Sequence, residues 1–288
     1  MPGGILLIDK PKGVTSHDVV AMVRRQLGTK KVGHAGTLDP LATGLMVVGI
    51  DSGTKLLSHL FGLDKQYRAT IRLGQSTATD DAEGDVLTQA DASKITKEQI
   101  QIELEKLTGE IDQVPSSVSA IKVEGRRAYD IVRSGESVEL TARRVKIYRF
   151  QLVSEITHDE KFLEFDVLVD CSTGTYIRAL ARDMGSSLGA GGHIRELRRT
   201  MVGEFRIDDA TSPEQLRKPM TLLEVATMLF PVVELSDTQA QDIIHGKRIQ
   251  LEETTPLAAS YSGSLLAILE PIAKSFRSVT VFPESFNG

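Results

Sequence analysis

Gly33-His34-Ala35-Gly36-Thr37-Leu38-Asp39-Pro40-Leu41-Ala42-Thr43-Gly44 holds three glycines and one proline in twelve positions, too many for a regular helix or strand. The stretch reads as a structured loop, and Asp39 is its chemistry-bearing residue. Lys30, Lys31 and His34 precede it and no like charge lies close by in the chain, which suits an ionised nucleophile better than a proton donor. An Asx turn ahead of Pro40 is the plainer alternative.

The flanks supply regular elements. Gly4 to Ile8 reads as a buried strand stopped by the turn Asp9-Lys10-Pro11-Lys12-Gly13. Thr15 or Ser16 can cap a helix whose apolar positions Val19, Val20, Val23 and Leu27 follow a helical period, with Gly28 as its stop. Downstream come a strand at Leu45–Ile50, a helix at Thr54–Leu60, and a strand alternating through Tyr67, Ala69, Ile71 and Leu73. Residues 76–92 are acidic and loop-like, and 96–107 form an amphipathic helix opened by Thr96. Residues 122–149 carry eight basic side chains around a helical segment at Tyr129, Ile131 and Val132, and read as a basic arm. Phe162 to Val169 alternates as a half-buried strand, Thr175–Leu188 reads as a helix and His193–Ile207 as extended. Pro213, Pro219 and Pro231 mark 211–235 as a linker, followed by a small, mostly β module.

Composition narrows the classes. The 288 residues are 41% hydrophobic and 25% charged, an ordinary globular balance with ample chain for a core. One cysteine, Cys171, excludes a disulfide framework or a thiolate metal cage and reads as a buried small residue. The six histidines form no pair at metal-binding spacing, and no phosphate-cradling glycine motif occurs, so neither a metal nor a nucleotide cofactor is expected. No apolar run reaches membrane-span length, which leads to a soluble, cytoplasmic expectation. The net charge of −5 argues against a nucleic-acid partner only as an average, because residues 1–38, 116–149 and 174–200 carry +4, +4 and +3. Screening confines each phosphate contact to about 8–10 Å, so local patches suffice for a polyanion.

Two further residues stand out. Arg178 opens a helix in Gly174-Thr175-Tyr176-Ile177-Arg178 and reads as a buried counter-ion, a phosphate clamp or a plain surface arginine. Tyr67, between cations in Lys65-Gln66-Tyr67-Arg68, suits stacking on a base or simple strand packing.

Four motifs agree in order and spacing: Lys10-Pro11-x-Gly13-x-Thr15-Ser16; the Gly33–Gly44 loop; Tyr67 ahead of Leu73-Gly74; and Gly174-Thr175-Tyr176-Ile177-Arg178-x-Leu180-x-Arg182-Asp183-x-Gly185. Together they resemble the TruB family of tRNA pseudouridine synthases. The resemblance implies a mixed α/β (α+β) fold: a catalytic domain at 1–230 around a mostly antiparallel sheet, and a PUA-like RNA-binding module at 231–288. It implies isomerisation of uridine 55 in the T-arm loop of tRNA, with no cofactor or metal, by a monomer needing no protein partner. Asp39 would then serve bond cleavage, Arg178 would pair with it, and Tyr67 would stack on the uracil and act as base. His34 would fill the space of the flipped base, Lys10 and Pro11 would brace the loop, and Leu197 would line the uracil pocket. Tyr176 and Asp80 fall at positions near the site, and Arg126 and Arg127 would grip RNA from the arm. A tRNA-folding chaperone, a glycosidase with paired carboxylates and a guide-RNA-dependent synthase are the competing readings.

Overall fold

The computed structural model describes residues 3–116, 122–123, 126–127 and 140–286. Alternating and continuous apolar runs assemble a ten-stranded sheet from β1 (Gly4–Lys10), β2 (Val32–Ala35), β3 (Thr43–Ile50), β4 (Lys65–Leu73), β7 (Gly109–Gln113), β10 (Arg143–Leu152), β11 (Thr157–Asp159), β12 (Phe162–Cys171), β13 (Gly192–Val202) and β14 (Phe205–Arg206). Its main path runs β1-β3-β13-β4-β12-β10-β7, and its one parallel contact joins β13 to β3. Two small hairpins stand apart: β5 (Gln75–Thr77) with β6 (Val86–Gln89), and β8 (Lys122–Val123) with β9 (Arg126–Arg127).

The helices begin where their caps dictate. Thr15 caps α1 (Ser16–Leu27) in a reciprocal capping box with Asp18, and Gly28 closes it in the left-handed region at φ 65°. After a 3₁₀ turn at Asp51–Leu56 comes the short α2 (Leu57–Leu60), so the helix expected at 54–60 is only half α. Thr96 with Gln99 caps α3 (Lys97–Lys106), α4 spans Ile177–Ser187, and Thr221 with Glu224 caps α5 (Leu222–Leu229). Ser236 with Gln239 caps α6 (Asp237–Ile244). Among the described residues no helix is long and apolar enough to cross a membrane.

Several expectations need correction. The Gly33–Gly44 stretch is not all loop: β2 and β3 pair antiparallel from Val32↔Ile50 to Ala35↔Val47, leaving 36–42 as the loop of a hairpin. The acidic 76–92 segment contains the β5–β6 hairpin. Arg143 to Arg149 belong to core strand β10, where Val145, Ile147 and Phe150 are buried, and not to an arm. The helix expected at Tyr129–Val132 lies outside the described residues. The proline-marked 211–235 segment is no free linker, since Thr211 bridges Ile8, Met220 bridges Ile5, and α5 buries Leu222, Val225 and Ala226.

The two faces of β1 and β3 feed two cores. Ile8, Met46 and Val48 face the main core with Val19, Ile71, Phe165 and Leu180. Ile5, Leu7, Leu45 and Val47 face a second core shared with α5 and with Ala258, Leu265, Ile268 and Phe282. Those last residues belong to or adjoin a four-stranded sheet of β15 (Val232–Glu234), β16 (Leu257–Tyr261), β17 (Ser264–Ile272) and β18 (Ser275–Val281), which seats the C-terminal module against the large sheet.

Candidate active site

The hairpin loop 36–42 is tied down from three sides. The Ser16 hydroxyl, at the start of α1, donates to the Leu38 carbonyl at 3.0 Å and accepts from the Leu38 N–H at 2.9 Å. Lys10, fully buried, donates Nζ to the carbonyls of Pro11 (3.0 Å), Val14 (2.6 Å) and Pro40 (3.2 Å), and the Gly13 N–H reaches the Pro40 carbonyl at 2.9 Å. Burial lowers the Lys10 ammonium from 10.5 to about 8, with Asp39 the strongest opposing influence. The bracing expected of Lys10 is thus a backbone clamp. Behind the loop, Gly44 sits at φ 103° where an added Cβ would lie 2.3 Å from the Arg199 carbonyl, so only glycine lets β3 meet β13 there.

Asp39 projects from this loop with 41% of its side chain exposed and accepts from Arg178 at 3.0 Å. Arg178 is 6% exposed and reaches two further acceptors, Asp81 Oδ2 at 3.4 Å and the Thr79 carbonyl at 2.7 Å. The arginine stands one residue into α4, whose start is held by Gln113. That buried amide donates to the Tyr176 carbonyl at 3.0 Å and accepts from the Tyr176 N–H at 2.8 Å, standing in for the side-chain cap that α4 lacks.

Asp39, Arg178, Tyr67, Tyr176 and Leu197 line one cavity of about 310 Å³. Tyr67 on β4 is half-buried and lies directly opposite Arg199 on β13. Burial pushes its phenol up, against the pull of the Arg199 guanidinium, so the neutral phenol is the resting form at pH 7. Cys171 on β12 also reaches the cavity; burial pushes its thiol up to about 12, which leaves it inert as a nucleophile. Lys65, also buried, donates to the carbonyls of Phe61 (2.8 Å) and Leu63 (2.5 Å) and to the Thr173 hydroxyl (3.2 Å), and burial lowers it to about 8.

Other expected residues fall elsewhere. His34 is on β2, outside the cavity lining, edge-on to His17 with ring centroids 6.0 Å apart; its Nδ1 is buried and unpartnered, and burial holds the ring toward its neutral form. Asp80 pairs with Arg182 at 3.2 Å, whereas its neighbour Asp81 is the one on Arg178. Arg126 and Arg127 form the two-residue strand β9, away from the large sheet in the pairing pattern. Sequence reasoning missed Asp81, Gln113, Lys65 and Arg199. Asp81 left a signal as one of two adjacent acids, Lys65 as a cation flanking Tyr67 and Arg199 as part of the basic 174–200 block, while Gln113 left none.

An ion pair lining a cavity, beside an aromatic ring and an aliphatic side chain, suits a planar base held next to a carboxylate. The chain is similar to known proteins over nearly its whole length. Residues 24–177 match the TruB family pseudouridylate synthase N-terminal domain, residues 178–234 the tRNA pseudouridylate synthase B C-terminal domain, and residues 230–283 the tRNA pseudouridine synthase II C-terminal domain. The chain is 52% identical over 285 residues to tRNA pseudouridine synthase B of Mycobacterium sp. (strain KMS), covering 97% of this chain and 96% of that one. It is 49% identical over 302 residues to the same-named protein of Arthrobacter sp. (strain FB24), at 99% and 98% coverage. The fold matches a solved Cbf5–Nop10–Gar1 complex chain at 24% identity and TM-score 0.66, covering 97% of this chain and 83% of that one. A chain of the archaeal box H/ACA sRNP Nop10–Cbf5 complex matches at 22% identity and TM-score 0.66, over 97% and 85%. By sequence across nearly its whole length, the chain belongs to the TruB family of pseudouridylate synthases.

Proposed function

We propose that this protein isomerises a single uridine in the T-arm loop of tRNA, conventionally position 55, to pseudouridine, as a cytoplasmic monomer without cofactor or protein partner. The Asp39–Arg178 ion pair, set in a cavity also lined by Tyr67 and Leu197, is the observation that carries the reading. The relatives' names supply the tRNA substrate.

A loop uridine must be turned out of its stack, at a cost of a few kcal/mol. Once in the cavity, its ring stacks on Tyr67 against Leu197, and Asp39 meets the ribose side, where positive character develops as the glycosidic bond breaks. Arg178 sets the direction of the carboxylate through a charge-assisted hydrogen bond. The freed ring turns, C5 bonds to C1′, and the C5 proton leaves to Tyr67 while N1 gains one. Residues 1–230 form the catalytic domain of this proposal and 231–288 a PUA-like RNA-binding module, with Arg126 and Arg127 contacting the RNA backbone.

Incubation with a T-arm stem-loop transcript, followed by base-specific chemical labelling, should map one pseudouridine at the loop position. An unmodified transcript, or modification at another uridine, would refute the substrate assignment.

A further inference from the structure

Arg199 is 1% exposed, the largest fully buried side chain among the described residues, and no described carboxylate lies within 4 Å of it. A desolvated guanidinium without a counter-ion is costly. Two of its N–H groups are satisfied by backbone: Nε donates to the Leu45 carbonyl at 2.7 Å and Nη2 to the Gly36 carbonyl at 3.1 Å. These bonds fasten β13 to β3 and to the first residue of the Asp39 loop. They do not supply a negative charge.

The buried cation faces the cavity with Lys65, which has no carboxylate partner either and whose ammonium is depressed partly by Arg199 itself. The back wall of the cavity therefore carries unbalanced positive charge in the resting protein. What lies against it is Tyr67. Arg199 and Tyr67 are direct partners in the antiparallel β13–β4 register, so their side chains emerge on the same face of the sheet and both line the cavity, where the guanidinium favours the ionised phenol. The other groups acting on the phenol are the Cys171 thiol from β12 and the Asp39 carboxylate from the hairpin loop, and both oppose its ionisation.

We propose that Arg199 is a positioning residue for Tyr67: its guanidinium holds the phenol oxygen in place and balances the phenolate, the form in which Tyr67 accepts the C5 proton. The proposal rests on the reading of the reaction given above. The phenol first loses its proton to water at the cavity mouth. After C5 has joined the sugar, the C5–H bond breaks, its electron pair returns to the pyrimidine ring, and the proton passes to the phenolate oxygen. N1 takes a proton from solvent, so the cycle closes with tyrosine neutral and no net proton consumed.

The test places 3,5-difluorotyrosine, an acidified phenol, at position 67 and follows its absorbance against pH. The chain contains no tryptophan to obscure the band. In folded Arg199→Met the phenol should ionise at least one pH unit higher than with Arg199 present, a tenfold loss of phenolate at a given pH, while Arg199→Lys should retain most of the shift. With ordinary tyrosine, Arg199→Met should lose at least tenfold in turnover of the T-arm stem-loop with RNA affinity within twofold, and difluorotyrosine at 67 should restore most of that rate. An unmoved phenol titration in folded Arg199→Met, or a rate defect that the acidified phenol leaves untouched, overturns the proposal. If Arg199→Met does not fold, the charge-removing Arg199→Gln takes its place in the same readings. Should the unsubstituted enzyme form no pseudouridine, the functional reading fails by itself, and the phenol titration still reports on the Arg199–Tyr67 pair.

Discussion

Replacing Asp81 by Asn removes one buried charge and almost no volume. The carboxylate is 5% exposed and lies 3.4 Å from an arginine that is 6% exposed, so neither group is shielded by water. At an effective dielectric constant of about 20, unit charges at that separation attract by about 5 kcal/mol. Deleting one member of a buried pair costs about 3–5 kcal/mol, and Arg178 still keeps Asp39 and the Thr79 carbonyl, so the low end, about 3 kcal/mol, is expected. At about 2–4 °C per kcal/mol, the melting temperature should fall by about 6–12 °C. Turnover should fall about 10- to 100-fold, because the guanidinium that aims Asp39 loses one of its anchors and small misplacements of a reacting group are expensive. The control is Asp80→Asn, at a residue with φ 59°, a conformation Asn tolerates. Its partner Arg182, 28% exposed, retains Asp183 at 2.8 Å and the Val114 carbonyl at 2.7 Å, so the stability loss should be smaller than that of Asp81→Asn. Calorimetry and single-turnover kinetics on the two variants read both quantities. The reasoning is refuted if Asp81→Asn melts within 2 °C of the parent and turns over normally, or if Asp80→Asn is the more damaging change.

Three other substitutions probe separate parts of the site. Asp39→Asn should abolish pseudouridine formation while shifting stability by no more than about 1 kcal/mol, since this carboxylate is 41% exposed; retained turnover in clean protein would remove Asp39 from the chemistry. Gly44→Ala should cost more than about 3 kcal/mol in urea unfolding, because the methyl group meets the Arg199 carbonyl at 2.3 Å in a left-handed backbone; a near-native midpoint would show that β3 and β13 can part. Lys65 has a folded pKa of about 8 against 10.5. The unfolded chain therefore holds more protons between those values, and stability from this group rises with pH across that window. The stability of the parent relative to Lys65→Met should increase by up to about 3 kcal/mol from pH 8 to 10.5, and a flat difference would contradict the burial argument.

Local punctuation was legible in the sequence. Thr15, Thr96 and Gly28 act where their chemistry predicts, and the alternation of Phe162–Val169 is the burial pattern observed. Order and spacing of the motifs carried the family resemblance, and the resemblance pointed to Asp39, Tyr67, Tyr176, Arg178 and Leu197, which do share one cavity. Tertiary facts were harder to read. Which of Asp80 and Asp81 meets Arg178 depends on a left-handed turn at Asp80, and adjacent acids look alike in a string. The count of basic residues at 143–149 masked the period-two burial of Val145, Ile147 and Phe150. Arg199 was invisible as a buried group because arginine is ordinarily exposed, and only the pairing of β13 with β3 and β4 encloses it. Prolines suggested a linker at 211–235, yet backbone pairing with β1 recruits that segment to the fold.

The second core gives the reverse side of β1 and β3 an unexpected responsibility. Cutting the chain near residue 230 would strip Ala258, Leu265, Ile268 and Phe282 from Ile5, Leu7, Leu45 and Val47, leaving an apolar wall open to water on the very strands whose other ends carry Lys10 and the Asp39 loop. A truncated enzyme that lost activity would therefore say little about RNA affinity, because the loss could begin as a loosening of the hairpin. Dissecting the module calls for surface charge reversals that leave this apolar contact whole, so that adhesion to RNA and stiffness of the catalytic hairpin are varied one at a time.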